Sequence, residues 1–266
     1  MKTLVIMPVH GMGETQETYA NELRRGLRDE LGTTAWSKIV FKPIYYQDVI
    51  QNNQAKVWSA MKGNADLSLK KLREFMIYAF SDAASLEHQS DRPDSAYILA
   101  QERIRDTLIE LLDAGVSPVT PVALLPHSLG GQVLSNYIWD SQKDQGIWKH
   151  KPLQRPAAEI AFLKLETLRL MVTAGCNIPL FVAGLKTIEP FARPHASFRW
   201  LNFYDREDVL GWPLKPLSPA YASIVESDQA INSGNLLTSW NPLSHTGYWS
   251  DGDFLEPAAR ALQALL

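Results

Sequence analysis

The sequence predicts an α/β fold with a mainly parallel sheet, and three observations carry that prediction. Short apolar runs with the length of buried strands recur along the chain. Most are separated by stretches whose apolar residues return at helical spacing. The turns after two of the runs are rich in glycine. A chain of 266 residues with 45% hydrophobic content can bury one large core, and no repeat, low-complexity tract or linker divides it. The simplest organisation is a single domain over 1–266, with a helical insertion or possible lid at about 48–114.

Taken in order, residues 3–9 are a compact β-prone run, short enough for a buried parallel strand, that ends in His10-Gly11-Met12-Gly13. Residues 14–31 read as a helix that Gly32 stops. Residues 39–46 read as a strand, and Pro43 within it suggests an edge position or a bulge. From 48 to 114 there is no convincing strand. Leu67, Leu72, Phe75, Met76, Ala79 and Phe80 mark one helical stripe. Ile98, Ile104, Leu108 and Leu112 mark the apolar face of a second helix over 95–112. A strand is expected at 119–125, a helix at 129–140 and a polar loop at 142–156. Two more strands follow at 168–174 and 198–204. Proline, glycine and polar residues crowd 212–219 and 232–242, and a helix over 257–265 closes the chain, with Pro257 suited to its first turn.

Composition narrows the function classes. A formal net charge of −3 with scattered basic residues gives no electrostatic reason to expect nucleic acid or an anionic membrane. A single cysteine, Cys176, excludes an intramolecular disulfide and a thiolate metal cluster. No apolar run approaches the ~18 residues of a membrane span, and the first residues lack the pattern of a secretion signal. The expectation is a cytoplasmic protein with no stable membrane insertion, no metal and no cofactor.

The most informative segment is Val122-Ala123-Leu124-Leu125-Pro126-His127-Ser128-Leu129-Gly130-Gly131. An apolar strand ends abruptly in His-Ser, and two glycines open a helical pattern. A serine at such a corner presents its hydroxyl above the strand end, the geometry of a nucleophile elbow. The usual pattern is Gly-x-Ser-x-Gly, and Pro126 stands at its first position. Proline fixes φ and removes an N–H, both tolerable at a strand end.

This arrangement resembles the α/β-hydrolase superfamily, in particular its compact lipase and esterase members. The resemblance implies nucleophile, acid and histidine in that chain order. Of the six histidines, only His245 follows both Ser128 and the strand at 198–204. The acid should leave the end of that strand. Asp208-Val209 matches the family's spacing better than Asp205-Arg206, which leaves Asp205 as the alternative. The resemblance also implies an oxyanion hole from the Leu129 amide and, through His10-Gly11-Met12-Gly13, the Met12 amide. That turn lacks the third glycine and the Lys-Ser/Thr of a nucleotide-binding loop.

The function implied is a serine hydrolase acting on a small-molecule or lipid-like carboxylic ester through an acyl-enzyme. An amidase or thioesterase would use the same groups, and a non-catalytic binding protein could share the fold. His10, Trp212, Trp240, Tyr248 and Trp249 are the candidate pocket residues, and the helix carrying Phe75 and Met76 is a candidate lid.

Overall fold

Strands Leu4–Val9 (β1), Ile39–Phe41 (β2), Val122–Pro126 (β3), Leu168–Ala174 (β4), Arg199–Asp205 (β5) and Ser227–Ile231 (β6) form one sheet. Their spatial order is β2-β1-β3-β4-β5-β6, and every neighbouring pair is parallel. The computed structural model describes residues 2–12, 15–49, 51–64, 68, 70, 73, 77, 92–233 and 247–266. Within it the chain forms an α/β-hydrolase fold, a single parallel sheet flanked by helices with a serine at the strand-to-helix turn after β3.

The alternation of side chains along the strands builds two cores. Leu4, Ile6, Ala123, Leu125, Val172 and Phe203 face Asn21–Trp36 (α1) and Gly252–Gln263 (α9), which supply Leu23, Leu27, Phe254 and Leu262. Val5, Met7, Val9, Val122 and Leu124 face the opposite layer, where Ala96–Asp113 (α3) and Leu129–Lys143 (α4) contribute Ile98, Ile104, Leu108, Val133 and Leu134. Each of the larger of these side chains contributes about 1.5–3 kcal/mol on removal from water, before the cost of ordering the chain. The remaining α-helices among the described residues are Gln51–Asn64 (α2), Ile147–His150 (α5), Ala157–Leu163 (α6), Ile178–Val182 (α7) and Pro219–Ile224 (α8).

The chain path fixes where a site can form. From β1 the chain moves outward to β2, crosses back by way of α3 to β3, then continues through β4 and β5 to β6. Its winding direction therefore reverses between β1 and β3. At such a switch point the loops leaving the two carboxyl ends part and open a crevice. The His10-Gly11-Met12 loop leaves β1 there, and the Ser128 turn leaves β3.

Several elements differ from the sequence reading. β6 was not expected: Ser-Asp-Gln-Ala-Ile is polar and only half-buried, because it lies at the sheet edge. The second strand stops at Phe41, and Pro43 separates it from an isolated bridge between Ile44 and Val9; its edge position agrees with the proline. α1 starts at Asn21 rather than near 14, after a turn over 17–20, and its backbone breaks at Gly32 (φ 74°, ψ 165°). Ser95 caps α3, accepting the Ile98 N–H at 3.3 Å. The polar stretch 142–156 contains α5, anchored by buried Ile147 and Trp148. α9 begins before Pro257, at Gly252: Asp251 caps it by accepting the Asp253 N–H at 2.7 Å, and Phe254 and Leu255 extend its apolar face. The stripe from Leu67 to Phe80 lies outside the described residues. No helix among the described residues is long and apolar enough to cross a membrane.

Candidate active site

Ser128 has φ 52° and ψ −125°, a conformation that costs a non-glycine residue roughly 1–3 kcal/mol. The turn is held from both neighbouring strands. His127 N–H donates to Val9 O of β1, and Ser128 N–H donates to Ala174 O of β4, each at 2.9 Å. Gly130 and Gly131 N–H groups then close the turn onto His127 O and Ser128 O. Pro126 is the buried last residue of β3, paired with Val9. By strand alternation its missing N–H would point toward β4, and the Ser128 N–H restores that tie two residues later. The elbow forms with proline in place of glycine.

Close backbone approach explains the glycines. A Cβ on Gly130 would lie 2.6 Å from His10 O and 2.8 Å from Val9 O, while one on Gly131 would meet Cys176 Sγ at 2.7 Å. A Cβ on Gly11 would fall 2.6 Å from Ser128 Cβ and 3.2 Å from its Oγ. The loop after β1 thus lies directly against the serine. Ser128 is 1% exposed, and its hydroxyl has no hydrogen-bond partner among the described residues. Nor does the N–H of Met12 or Leu129 donate to another group among them. At the start of α4 such an orphan amide adds to the positive end of the helix dipole.

His10 shapes this loop from beneath rather than lining open space. Its Nε2 accepts the Tyr46 N–H at 3.2 Å, so Nδ1 carries the proton and donates to Gly11 O at 2.9 Å. The Tyr46 hydroxyl donates to His10 O at 3.0 Å, and the two rings stack at 4.1 Å. Burial lowers the imidazole pKa to about 4, against smaller opposing effects of Gly11 O and Asp48, so the ring is neutral at pH 7. Tyr46, 36 residues away, carries no motif that would have singled it out.

The two candidate acids stand in different surroundings. Asp205 closes β5: its Oδ1 accepts the Glu207 N–H at 2.9 Å, and its Oδ2 accepts Ser233 N–H at 2.8 Å and Ser233 Oγ–H at 3.1 Å. Asp208 accepts the Leu210 N–H on Oδ1 and the Tyr248 O–H on Oδ2, both at 2.9 Å. Tyr248 is wholly buried, and its hydroxyl in turn accepts the Asp205 N–H at 2.7 Å. Burial first, then the Asp208 charge, push this phenol well above its ordinary pKa, so it remains a donor.

Of the other pocket candidates, Trp249 is half-buried, with its ring 5.5 Å from His127 and 5.8 Å from Tyr19. Trp212 is 41% exposed, and its backbone N–H donates to Cys176 O. His245 and Trp240 lie outside the described residues. Among the described residues no group of three or more His, Cys, Asp or Glu side chains could hold a metal.

No protein-family model matches the chain. No curated protein matches it either. Among solved structures, the chain is similar to a dienelactone hydrolase from Anabaena variabilis at 10% identity and a TM-score of 0.41, over 99% of this chain and 85% of that one.

Proposed function

We propose that this protein is a serine hydrolase that cleaves a carboxylic ester through an acyl-enzyme on Ser128. The observation that carries the reading is the strained turn at Ser128, whose buried hydroxyl, like the Met12 and Leu129 amides, has no hydrogen-bond partner among the described residues. Strain of this kind persists only where surrounding structure enforces it, and it concentrates at reacting groups.

In the mechanism, His245 takes the Ser128 proton as Oγ attacks the ester carbonyl. Asp208 accepts from the imidazole, holds its tautomer and stabilises the imidazolium. The Met12 and Leu129 amides receive the developing oxyanion, each contributing about 3–4 kcal/mol by analogy with other such donors. His245 then protonates the leaving alcohol, and water hydrolyses the acyl-enzyme by the reverse sequence. The role of His245 rests on chain order. The preference for Asp208 is supported by its neighbour Tyr248, three residues beyond His245, and by the commitment of both Asp205 oxygens to its own loops.

The test is turnover of a panel of aryl esters, thioesters and anilides by the intact protein and by Ser128→Ala. Ester turnover should fall by about 10^6-fold in the variant. Undiminished turnover by Ser128→Ala would overturn the reading, and a preference for thioester or anilide would correct the substrate class.

A further inference from the structure

We infer that Tyr248 is a positioning residue that sets the direction and basicity of the Asp208 carboxylate. This rests on the reading of Asp208 as the acid of a serine hydrolase. A single buried hydroxyl joins three segments: it takes the N–H at the end of β5 from Asp205 (2.7 Å), gives its proton to Asp208 Oδ2 (2.9 Å), and stands at the start of the turn Tyr248–Ser250 that leads into α9. With Leu210 N–H on the other oxygen, each carboxylate oxygen accepts a donor among the described residues, which fixes the carboxylate plane.

The space around this contact is built for it. A Cβ on Gly211 would lie 2.6 Å from Asp208 Oδ2 and 2.8 Å from the Tyr248 hydroxyl, so only glycine leaves both oxygens in place. Among the described residues, the Asp205 N–H occupies a lone pair of the phenol oxygen and the tyrosine proton goes to Asp208. A donor on a carboxylate draws off negative charge. It therefore moderates how strongly the carboxylate stabilises an imidazolium on its other lone pairs. Among the described residues, Asp205 and Asp208 are the charged groups at the hydroxyl, and the centroid of the His127 ring lies 5.9 Å from that of the Tyr248 ring.

The test is Tyr248→Phe, which keeps the ring and removes the hydroxyl, with rates normalised to sites titrated by a fluorophosphonate. The expected result is a kcat lowered by about tenfold, the scale of one hydrogen bond to a charged group, with KM within about twofold. The acidic limb of kcat/KM should move upward by a few tenths of a pH unit, roughly, because the freed carboxylate holds the imidazolium more strongly. An unshifted limb with kcat per titrated site unchanged would overturn the proposal. If Tyr248→Phe fails to fold, Gly211→Ala gives the same reading by crowding both oxygens: a displaced limb supports the role and an unmoved limb with full kcat overturns it. Two controls separate this from failure of the parent reading. Loss of turnover in Ser128→Ala with full turnover in Asp208→Asn removes Asp208 as the acid and the proposal with it, whereas turnover surviving in Ser128→Ala overturns the hydrolase reading itself.

Discussion

Around Ser128 the chain is fixed by contact: carbonyls of His10 and Val9 and the sulfur of Cys176 press where glycine side chains would be, and a neutral, buried His10 props the loop. Around Asp208 the fixing is done by hydrogen bonds, with Leu210 and Tyr248 donating to the carboxylate and Ser233 and Glu207 to its neighbour Asp205. The first flank must hold a strained backbone, and steric enclosure does that together with the backbone N–H bonds of His127 and Ser128 to the neighbouring strands. The second must hold a negative charge away from water, and donors do that at the lowest desolvation cost. Substitutions should accordingly fail in different ways on the two sides.

Apart from loss of the nucleophile itself, the largest effect is expected within the acid loop. Asp208→Asn keeps the shape and removes the charge, and kcat should fall by up to about 10^4-fold, as when a triad acid is replaced by its amide. Asp205→Asn should instead keep most of kcat and lose about 1–3 kcal/mol of stability, because its oxygens hold Glu207 and Ser233. Steady-state kinetics beside urea unfolding reads both. Reversed outcomes would make Asp205 the acid.

On the serine flank the next effect is pH-dependent. His10 has a folded-state pKa of about 4, below the ~6.5 of a free imidazole. Between those values the unfolded chain binds a proton that the folded chain does not, so this contribution is complete above pH ~6.5 and is lost as pH falls toward 4, on the order of 3 kcal/mol. Urea midpoints should decline across that window, and His10→Phe, though less stable at pH 7, should decline less. Equal slopes would show that another group controls the transition.

The smallest effect tests close approach itself. Gly131→Ala meets a side-chain sulfur rather than backbone and should cost about 1–3 kcal/mol. Adding Cys176→Ala should return part of that loss. Additive losses in the double variant would mean that Cys176 is not the obstacle.

The same contrast explains what the sequence made legible. The Ser128 flank is local: an apolar strand, a serine and two glycines lie within ten residues, and the turn needs little else to be foreseen. The strands at 3–9, 168–174 and 198–204 are readable for the same reason, since burial on both faces leaves a largely apolar run, interrupted by Arg169 in one and by Arg199 and Asn202 in another. β6 is not, because an edge strand with polar residues carries no such run. The partners of the acid loop are non-local. Tyr248 reaches Asp208 across 40 residues and Ser233 reaches Asp205 across 28, and nothing in the spacing announces either. The sequence offers Tyr248 and His10 as candidate pocket residues, yet both are buried with their polar atoms bonded internally, His10 to Gly11 and Tyr46 and Tyr248 to the acid loop.

The most direct measurement of the central claim is the intact mass and peptide map of the protein after exposure to a fluorophosphonate. One adduct per chain, located on Ser128 and absent from Ser128→Ala, is the predicted result. A folded protein that takes no adduct, or one whose adduct persists at full yield in Ser128→Ala, would contradict it.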